Sequence, residues 1–500
     1  MTSFISDEFL AWFKKAGGWY NEKLLDLKPF PGMGYGAVAI DVIPEDTTLF
    51  HIPDTLILSP YTSDLSKLLS EAEWETLSHG WCRLIMVMMY ETERGDQSRW
   101  SGYLSNMPEE FDTPMMWNDE ERSELEGTDI EDRIGKEDAE EEYKSYLLPV
   151  IQAHPELFPP SSSSHTLASF HLQGSRILSR SFTVPSSRFS DDISPPKDDS
   201  SDFSDDEDEQ DEVAVMIPFA DMLNAAFEKD NAHLYTDEEL DIEGYTWEKG
   251  FTMKSTKTID GNDQIYNTYS SPPNSELLRK YGHVDILPLS TELLDLLSEE
   301  EIRGWPFGNP ADEVLLEGTL IVDAVEKVLG GKADDKWRKS NAKRVDWWLE
   351  EGQEDMFPLS FSPQFDDDLI AFIRLLLYDH EWLRAKKKGK LPTTVLDNDV
   401  ASVIVEALSR RKSRYTGDIN SDVEMIASVS VEHIPKPSAP TAVVSADNIA
   451  ANSPSVDAKT LRKCYAAIVR LGEKRILHSA LRIAQSHLPQ KRKADADLSR

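Results

Sequence analysis

The stretch VAVMIPFADMLN, residues 213–224, constrains the fold more than any other part of the chain. An apolar run such as Met216-Ile217-Pro218-Phe219-Ala220 that leads straight into an asparagine reads as chain leaving a buried strand for a tight turn. The polar knot Asp221-Met222-Leu223-Asn224 is thereby delivered to the edge of a core. Downstream, DQIYNTYSSPPNSELLRKYGHV places Asn267, Tyr269 and Tyr281 around a turn marked by Pro272-Pro273-Asn274. A strand followed by a short helix, Ser275 to Tyr281, can carry the Tyr269 and Tyr281 hydroxyls to one cavity.

A chain of 500 residues exceeds one compact core, so two or three structural units are expected. Its 52 Lys+Arg against 91 Asp+Glu give a net charge of −39, which argues against direct binding of nucleic acid, because phosphate contacts need clustered cations. A basic protein partner suits such a surface better. Cys82 and Cys464 stand far apart without ligand-like neighbours, which supports neither a disulfide framework nor a cysteine zinc site. The opening MTSFISDEFLAWFKKAGGW offers no apolar signal-peptide core, and no run approaches the ~20 apolar residues of a membrane span. The expectation is a soluble protein of the nucleus and/or cytoplasm, without a membrane partner.

Ser6 to Ala16 reads as an amphipathic helix with Phe9, Leu10, Trp12 and Phe13 on one side. In KPFPGMGYGAVAIDVIPEDTTLFHIP, Gly32, Gly34 and Ala37 satisfy the letters of a dinucleotide fingerprint, which also demands a strand before and a helix after. Lys28-Pro29-Phe30-Pro31 precedes, and β-rich sequence punctuated by Pro44 and Pro53 follows, so that reading is rejected. What remains is a glycine turn opening two short strands, Gly36 to Val42 and Thr48 to Ile52. It is either an ordinary hairpin turn or a place where backbone approaches a flat ligand closely.

From Leu65 to Leu178 the pattern is helical, and Trp81, Leu84, Ile85, Met88 and Met89 form a core stripe. The acidic run Asp119 to Glu142 reads as a solvated helix, or as a surface for a basic substrate tail. FHLQGSRILSRSF, residues 170–182, ends a helix in which Arg176 and Arg180, four apart, form an exposed basic face unless Arg180 has a ligand. SRFSDDISPPKDDSSDFSDDEDEQDE has almost no apolar residues and cannot offset its ordering entropy. After His283 helical periods dominate: Ser290 can cap a helix carrying Leu293 to Leu297, and DDLIAFIRLLLYDHEWLRA ends in the basic run Arg384 to Lys388. His433 to Asp457 is a Pro/Ser/Ala loop, and the tail KRKADADLSR carries a short basic cluster.

The blocks ADMLN…NA…L, QIYNTYS and LLRKYG, in that order and spacing, resemble the SET-domain protein lysine methyltransferases, in the branch that includes Rubisco large-subunit methyltransferase and the fungal ribosomal-protein lysine methyltransferases. The resemblance implies an α+β fold: a β-rich SET domain split by a helical insert and followed by an all-helical substrate-binding domain. It divides the chain into 1–60 (N-terminal helix and first SET part), 61–182 (insert), 183–212 (disordered acidic segment), 213–285 (second SET part), 286–490 (helical substrate-binding domain) and 491–500 (tail). Trp100, Tyr103, Pro108 and Trp117 match the insert. The implied cofactor is S-adenosylmethionine, held by the main chain of Met33, Gly34 and Tyr35, by Arg180 on the methionine carboxylate, and by Asn224 and Ala225. Tyr269 is the implied catalytic hydroxyl, also touching the cofactor, and Tyr281 lines the same pocket. The implied partner is a basic protein, a ribosomal protein by resemblance, and the implied state is a monomer.

Transfer of a methyl group from a sulfonium is an in-line displacement, so placement of the amine is most of the work. A lysine near pKa 10.4 costs roughly 4–5 kcal/mol to keep neutral at pH 7, which a narrow apolar channel reduces. No histidine or carboxylate base is required. The chain has Asn224-Ala225 where the family usually has Asn-His, so ring packing on the adenine is lost unless Phe227 fills the space. Two other readings stay open: a SET-like scaffold that binds partners without turnover, and a protein histidine methyltransferase on the same fold.

Overall fold

A computed structural model describes residues 4–30, 34–189, 212–267, 271–362, 364–430 and 457–489. Met33, Tyr269, most of the acidic segment and nearly all of the loop 433–457 lie outside these residues. The chain divides into two compact units, one of residues 1–116 and 135–271, the other of 117–134 and 272–500.

The first unit is built from short strands: β1 (Trp19–Tyr20), β2 (Leu25–Phe30), β3 (Gly34–Ala39), β4 (Thr48–Pro53), β5 (Ser181–Pro185), β6 (Glu212–Met216), β7 (Ala232–Thr236), β8 (Gly250–Ser255) and β9 (Gln264–Ile265). They form three antiparallel sheets in the orders β1-β4-β8-β7, β2-β3-β9 and β5-β6. A strand therefore does precede the glycine turn. Pro29 is tolerated because β2 is an edge strand, and the dinucleotide reading fails on its second requirement, since β3 rather than a helix follows. The two strands expected after the turn do exist, but β3 and β4 lie in different sheets.

Helix Phe4–Lys15 buries Phe9, Leu10 and Phe13, and helix Cys82–Glu93 buries Leu84, Ile85, Met88 and Met89 in the same core. Trp81 stands outside that stripe, exposed at the helix start. At the end of β6 the chain turns through Phe219, whose φ of 81° is unusual for a residue with a bulky side chain. Such strain costs about 1–3 kcal/mol. Its ring is fully buried against Phe9, Phe13, Tyr20 and Phe50, the last with centroids 4.3 Å apart. Burying a ring of that size contributes about 1.5–3 kcal/mol, enough to offset the turn. Ordered structure also reaches further into the acidic segment than composition suggests: β5 pairs with β6, and a 3₁₀ turn runs to Phe189.

The second unit is mainly helical, with two small ladders, β10 (Leu287–Pro288) on β11 (Phe307–Gly308) and β12 (Glu313–Glu317) on β13 (Met356–Ser360), that an all-helical expectation leaves out. The 29-residue helix Ala458–Ser486 runs through its core. It buries Arg470, Glu473, Lys474 and Arg475. Charges survive there only with partners: Arg470 and Lys474 bond Asp422 at 2.9 and 2.6 Å, and the Tyr415 hydroxyl donates to Glu473 at 2.5 Å.

The run Asp119 to Glu142 is not one solvated helix. It is broken into short turns by Gly127 and Gly135, both at positive φ, and its first part belongs to the second unit. There the side chain of Asp129 is buried 2.6 Å from Arg411, and Glu121 is buried on Arg462 at 2.8 Å. Two expected long helices are also interrupted. Ser290 does cap Thr291–Leu296, but Ser298 starts a new helix, Glu299–Ile302. The run 367–388 breaks at Tyr378 into Asp367–Leu377 and Asp379–Lys388.

Candidate active site

The first unit brings four of the expected residues to one end of its small sheets: Gly34, Tyr35, Asn224 and Ala225. The hairpin of β2 and β3 pairs Phe30 with Gly34 and Lys28 with Gly36, while β3 pairs Val38 with Gln264 on β9. Gly34 has φ 69° and open space where a side chain would stand, so glycine is needed there for backbone conformation alone. Gly36 is needed for space. A Cβ on it would lie 2.4 Å from Gln264 Nε2 and 2.6 Å from Asn224 Nδ2. Tyr35 is half-buried and packs on the core beside them.

Both of those amide nitrogens are buried and have no hydrogen-bond partner among the described residues. An unmet buried donor costs about 1–3 kcal/mol, and here two converge on one glycine. Neighbouring groups are satisfied. Asn224 O accepts from Asn267 N at 3.0 Å, and Asn231 clamps the strand exit, with Oδ1 accepting from Tyr266 N at 2.8 Å and Nδ2 donating to Gln264 O at 3.1 Å. Gln264, Gly36 and Asn231 are thus site residues that sequence reasoning did not single out. The second glycine of Gly34-Tyr35-Gly36 and the asparagine of the Asn-Ala block were the available signals; Gln264 had none.

Arg180 ends helix Leu167–Arg180, where β5 begins. Its Nη1 donates to the Asp221 carbonyl at 2.8 Å and lies 3.5 Å from the Asp221 carboxylate, which also accepts from the Tyr103 hydroxyl at 2.8 Å. Burial pushes the Asp221 carboxyl up, and Arg180 opposes that shift. The exposed basic face does not form: Arg176 is buried, donating to the Pro108 carbonyl and to Gln173. Ala225 and Phe227 are both half-buried.

Close to β5, β7 and β8 lies a cavity of about 320 Å³ walled by Phe182, Val184, Ile217, Leu234 and Phe251. Asn267, at its margin, directly precedes the segment that contains Tyr269. Arg188 also borders it, but its guanidinium is bound to Asp54 at 2.7 Å and Asp237 at 2.8 Å. Tyr281 belongs to the second unit. It ends helix Asn274–Tyr281, which Gly282 terminates at φ 76°, and its ring lies 5.9 Å from that of His283. Met33 and Tyr269 fall outside the described residues.

With the glycine hairpin and asparagine turn in one unit and helices dominating the other, the chain has the SET-domain fold with a helical C-terminal domain that is seen in Rubisco large-subunit methyltransferase. A solved structure of Rubisco LSMT bound to AdoMet superposes with a TM-score of 0.61 over 97% of this chain and 92% of that one, at 19% sequence identity. Residues 337–477 match the family model described as Rubisco LSMT substrate-binding. Ribosomal lysine N-methyltransferase 4 of Saccharomyces cerevisiae is 31% identical over 288 residues, 56% of this chain and 55% of that protein. N-lysine methyltransferase setd6 of Xenopus laevis is 32% identical over 298 residues, 58% and 59% of the two chains. The chain spans little more than half the length of these two relatives.

Proposed function

We propose that the chain is an S-adenosylmethionine-dependent N-methyltransferase acting on lysine side chains of a protein. The observation that carries the reading is the pair of unpartnered buried donors, Asn224 Nδ2 and Gln264 Nε2, facing the side-chain-free surface of Gly36. Such a cradle fits a flat ligand rich in acceptor atoms, and the cofactor's adenosyl part is one.

When bound, S-adenosylmethionine supplies an electrophilic methyl group on a sulfonium. The Asn224 and Gln264 amides would donate to its adenosyl part, and the main chain at Gly34, Tyr35 and Ala225, with Met33 by resemblance, would complete the cradle. Arg180 would offer its planar fork to the cofactor's carboxylate, sharing the cation with buried Asp221. By resemblance, the Tyr269 hydroxyl would orient the incoming amine and Tyr281 would belong to the substrate pocket. The apolar walls of the cavity beside Asn267 would disfavour the ammonium form and hold the lysine neutral.

The SET portions are assigned to 1–60 and 213–285, the insert to 61–182 and the substrate-binding domain to 286–490. The net charge of −39 favours a basic substrate. The name of the yeast relative supports a ribosomal protein as that substrate, and hence a place in the nucleus and/or cytoplasm. The enzyme acts as a monomer. Calorimetric titration with S-adenosylmethionine tests the reading: the wild type binds it, and Gly36→Ala, which pushes a methyl group onto both amides, weakens it by about tenfold or more. A wild type that takes up no cofactor is a scaffold, and the reading falls.

A further inference from the structure

The helix Asn274–Tyr281 begins without a cap of its own. Pro273 stands at the cap position and offers no side-chain acceptor, so the first N–H groups of an eight-residue helix need an outside partner. That partner comes from well downstream. Asp312 Oδ1 accepts from Asn274 N at 2.8 Å, deep in the second unit, and places a carboxylate at the positive end of the helix. Asn309 grips the incoming chain with a bond from Nδ2 to the Pro272 carbonyl at 2.9 Å. The Asn274 side chain ties the helix start to the chain beyond its end, donating to the Asp285 carbonyl at 3.1 Å and accepting from Asp285 N at 2.7 Å.

The other oxygen of Asp312 is buried with no partner among the described residues, against Gly472 of helix Ala458–Ser486, where a Cβ would stand 2.2 Å from it. The charge of Arg475, one turn further on, favours the ionised carboxylate, while its guanidinium bonds the Glu301, Ile302, Trp305 and Phe307 carbonyls. A buried carboxyl with an unmet oxygen is costly, and glycine in the middle of a long helix costs about 1 kcal/mol relative to alanine. Both costs fall at one contact, and through Asp312 that contact links the start of the Tyr281 helix to the 458–486 helix.

We propose that Asp312 is a positioning residue for Tyr281, acting through the start of the Asn274–Tyr281 helix and seated by Gly472. The inference rests on the assignment of Tyr281 to the substrate pocket. Asp312 touches neither substrate nor cofactor. Its effect is felt in the chemical step, where a small misplacement of a pocket group is expensive.

A double-mutant cycle on the full chain, read by single-turnover methylation of a lysine substrate, separates the possibilities. Tyr281→Phe should slow the wild type about tenfold. Asp312→Ala should slow it by a similar factor while calorimetry shows S-adenosylmethionine binding within about twofold, and should add little in the Tyr281→Phe background. Asp312→Asn keeps an acceptor oxygen and should recover the rate to within about threefold. If Asp312→Ala does not fold, Gly472→Ala takes its place in the same cycle, with the same non-additivity expected. Independent, multiplying effects of Tyr281 and Asp312, or an Asp312→Asn no better than Asp312→Ala, overturn the inference and leave the Tyr281 assignment standing. A Tyr281→Phe enzyme at the wild-type rate overturns the assignment itself, and the inference with it.

Discussion

Two buried polar clusters, one in each unit, show opposite habits. Around Arg411 the second unit buries a guanidinium, two carboxylates and a phenol and joins them, leaving Arg411 Nε without a partner among the described residues: Arg411 reaches Asp129 at 2.6 Å, the Gly127 carbonyl and Glu473 at 3.7 Å, while Tyr415 bonds Glu473. Burial pushes the Glu473 carboxyl well up, and neighbouring Asp129 adds to the shift. Around Gly36 the first unit buries two amide donors that point at each other's neighbourhood and bond nothing described. A closed network holds a fold together. On the proposed reading the open one is where the cofactor's adenosyl part would bind.

Breaking the closed cluster should have the largest effect. Arg411→Ala leaves Asp129 and Glu473 buried without their cation and should cost about 3–5 kcal/mol of stability, visible in chemical denaturation, with cofactor affinity of the folded fraction unchanged. A loss below about 1 kcal/mol would mean that the cluster is not closed.

Tyr269→Phe comes next. Removing one oxygen while keeping the ring should lower the single-turnover rate by roughly 10²-fold and move the cofactor dissociation constant only a few-fold. A variant at the wild-type rate would remove Tyr269 from the chemistry.

Gly36→Ala tests the open cluster itself. Its methyl group meets Gln264 Nε2 and Asn224 Nδ2, so a stability cost of about 1–3 kcal/mol is expected along with the weaker cofactor binding. The same change at Gly34 meets no atom and should strain only the turn; equal loss of cofactor from both variants would mean that backbone conformation, rather than the amide cradle, decides binding.

Arg180→Ala should weaken S-adenosylmethionine about tenfold and adenosine hardly at all, because only the former has a carboxylate for the guanidinium. It also leaves Asp221 buried without its cation, so a lower melting temperature is expected alongside. Equal weakening of both ligands would make Arg180 purely structural. The smallest change is Ala225→His, which should tighten cofactor binding a few-fold if Phe227 has left the ring's space open, and should destabilise the fold if it has not.

How far the sequence reaches differs between the same two clusters. The Val213–Asn224 run announced its strand and turn because apolar β-branched residues and a terminal asparagine are local signals, and the structure adds the positive φ of Phe219 that makes the turn. Asn224 was legible; Gln264, its partner in the open cluster, was not, because convergence on Gly36 is a product of the β3–β9 pairing and leaves no local mark. In the second unit almost nothing of the charged cluster was visible. Asp129 sits in a run whose composition says solvent, and Arg411, some 280 residues away, together with the Leu315 N–H makes its burial tolerable. Helix breaks at Ser298 and Tyr378 were missed for a related reason: apolar periodicity continues across them, while the cap or the extended residue that divides them is a single position.

The central claim is transfer of a methyl group to lysine, and incubation of the purified chain with isotopically labelled S-adenosylmethionine and cell extract, followed by mass spectrometry of the labelled proteins, addresses it most directly. The account predicts label on the side-chain amine of a lysine in a basic protein, abolished or reduced about a hundredfold by Tyr269→Phe. Label on histidine, or none although the cofactor binds, would contradict it.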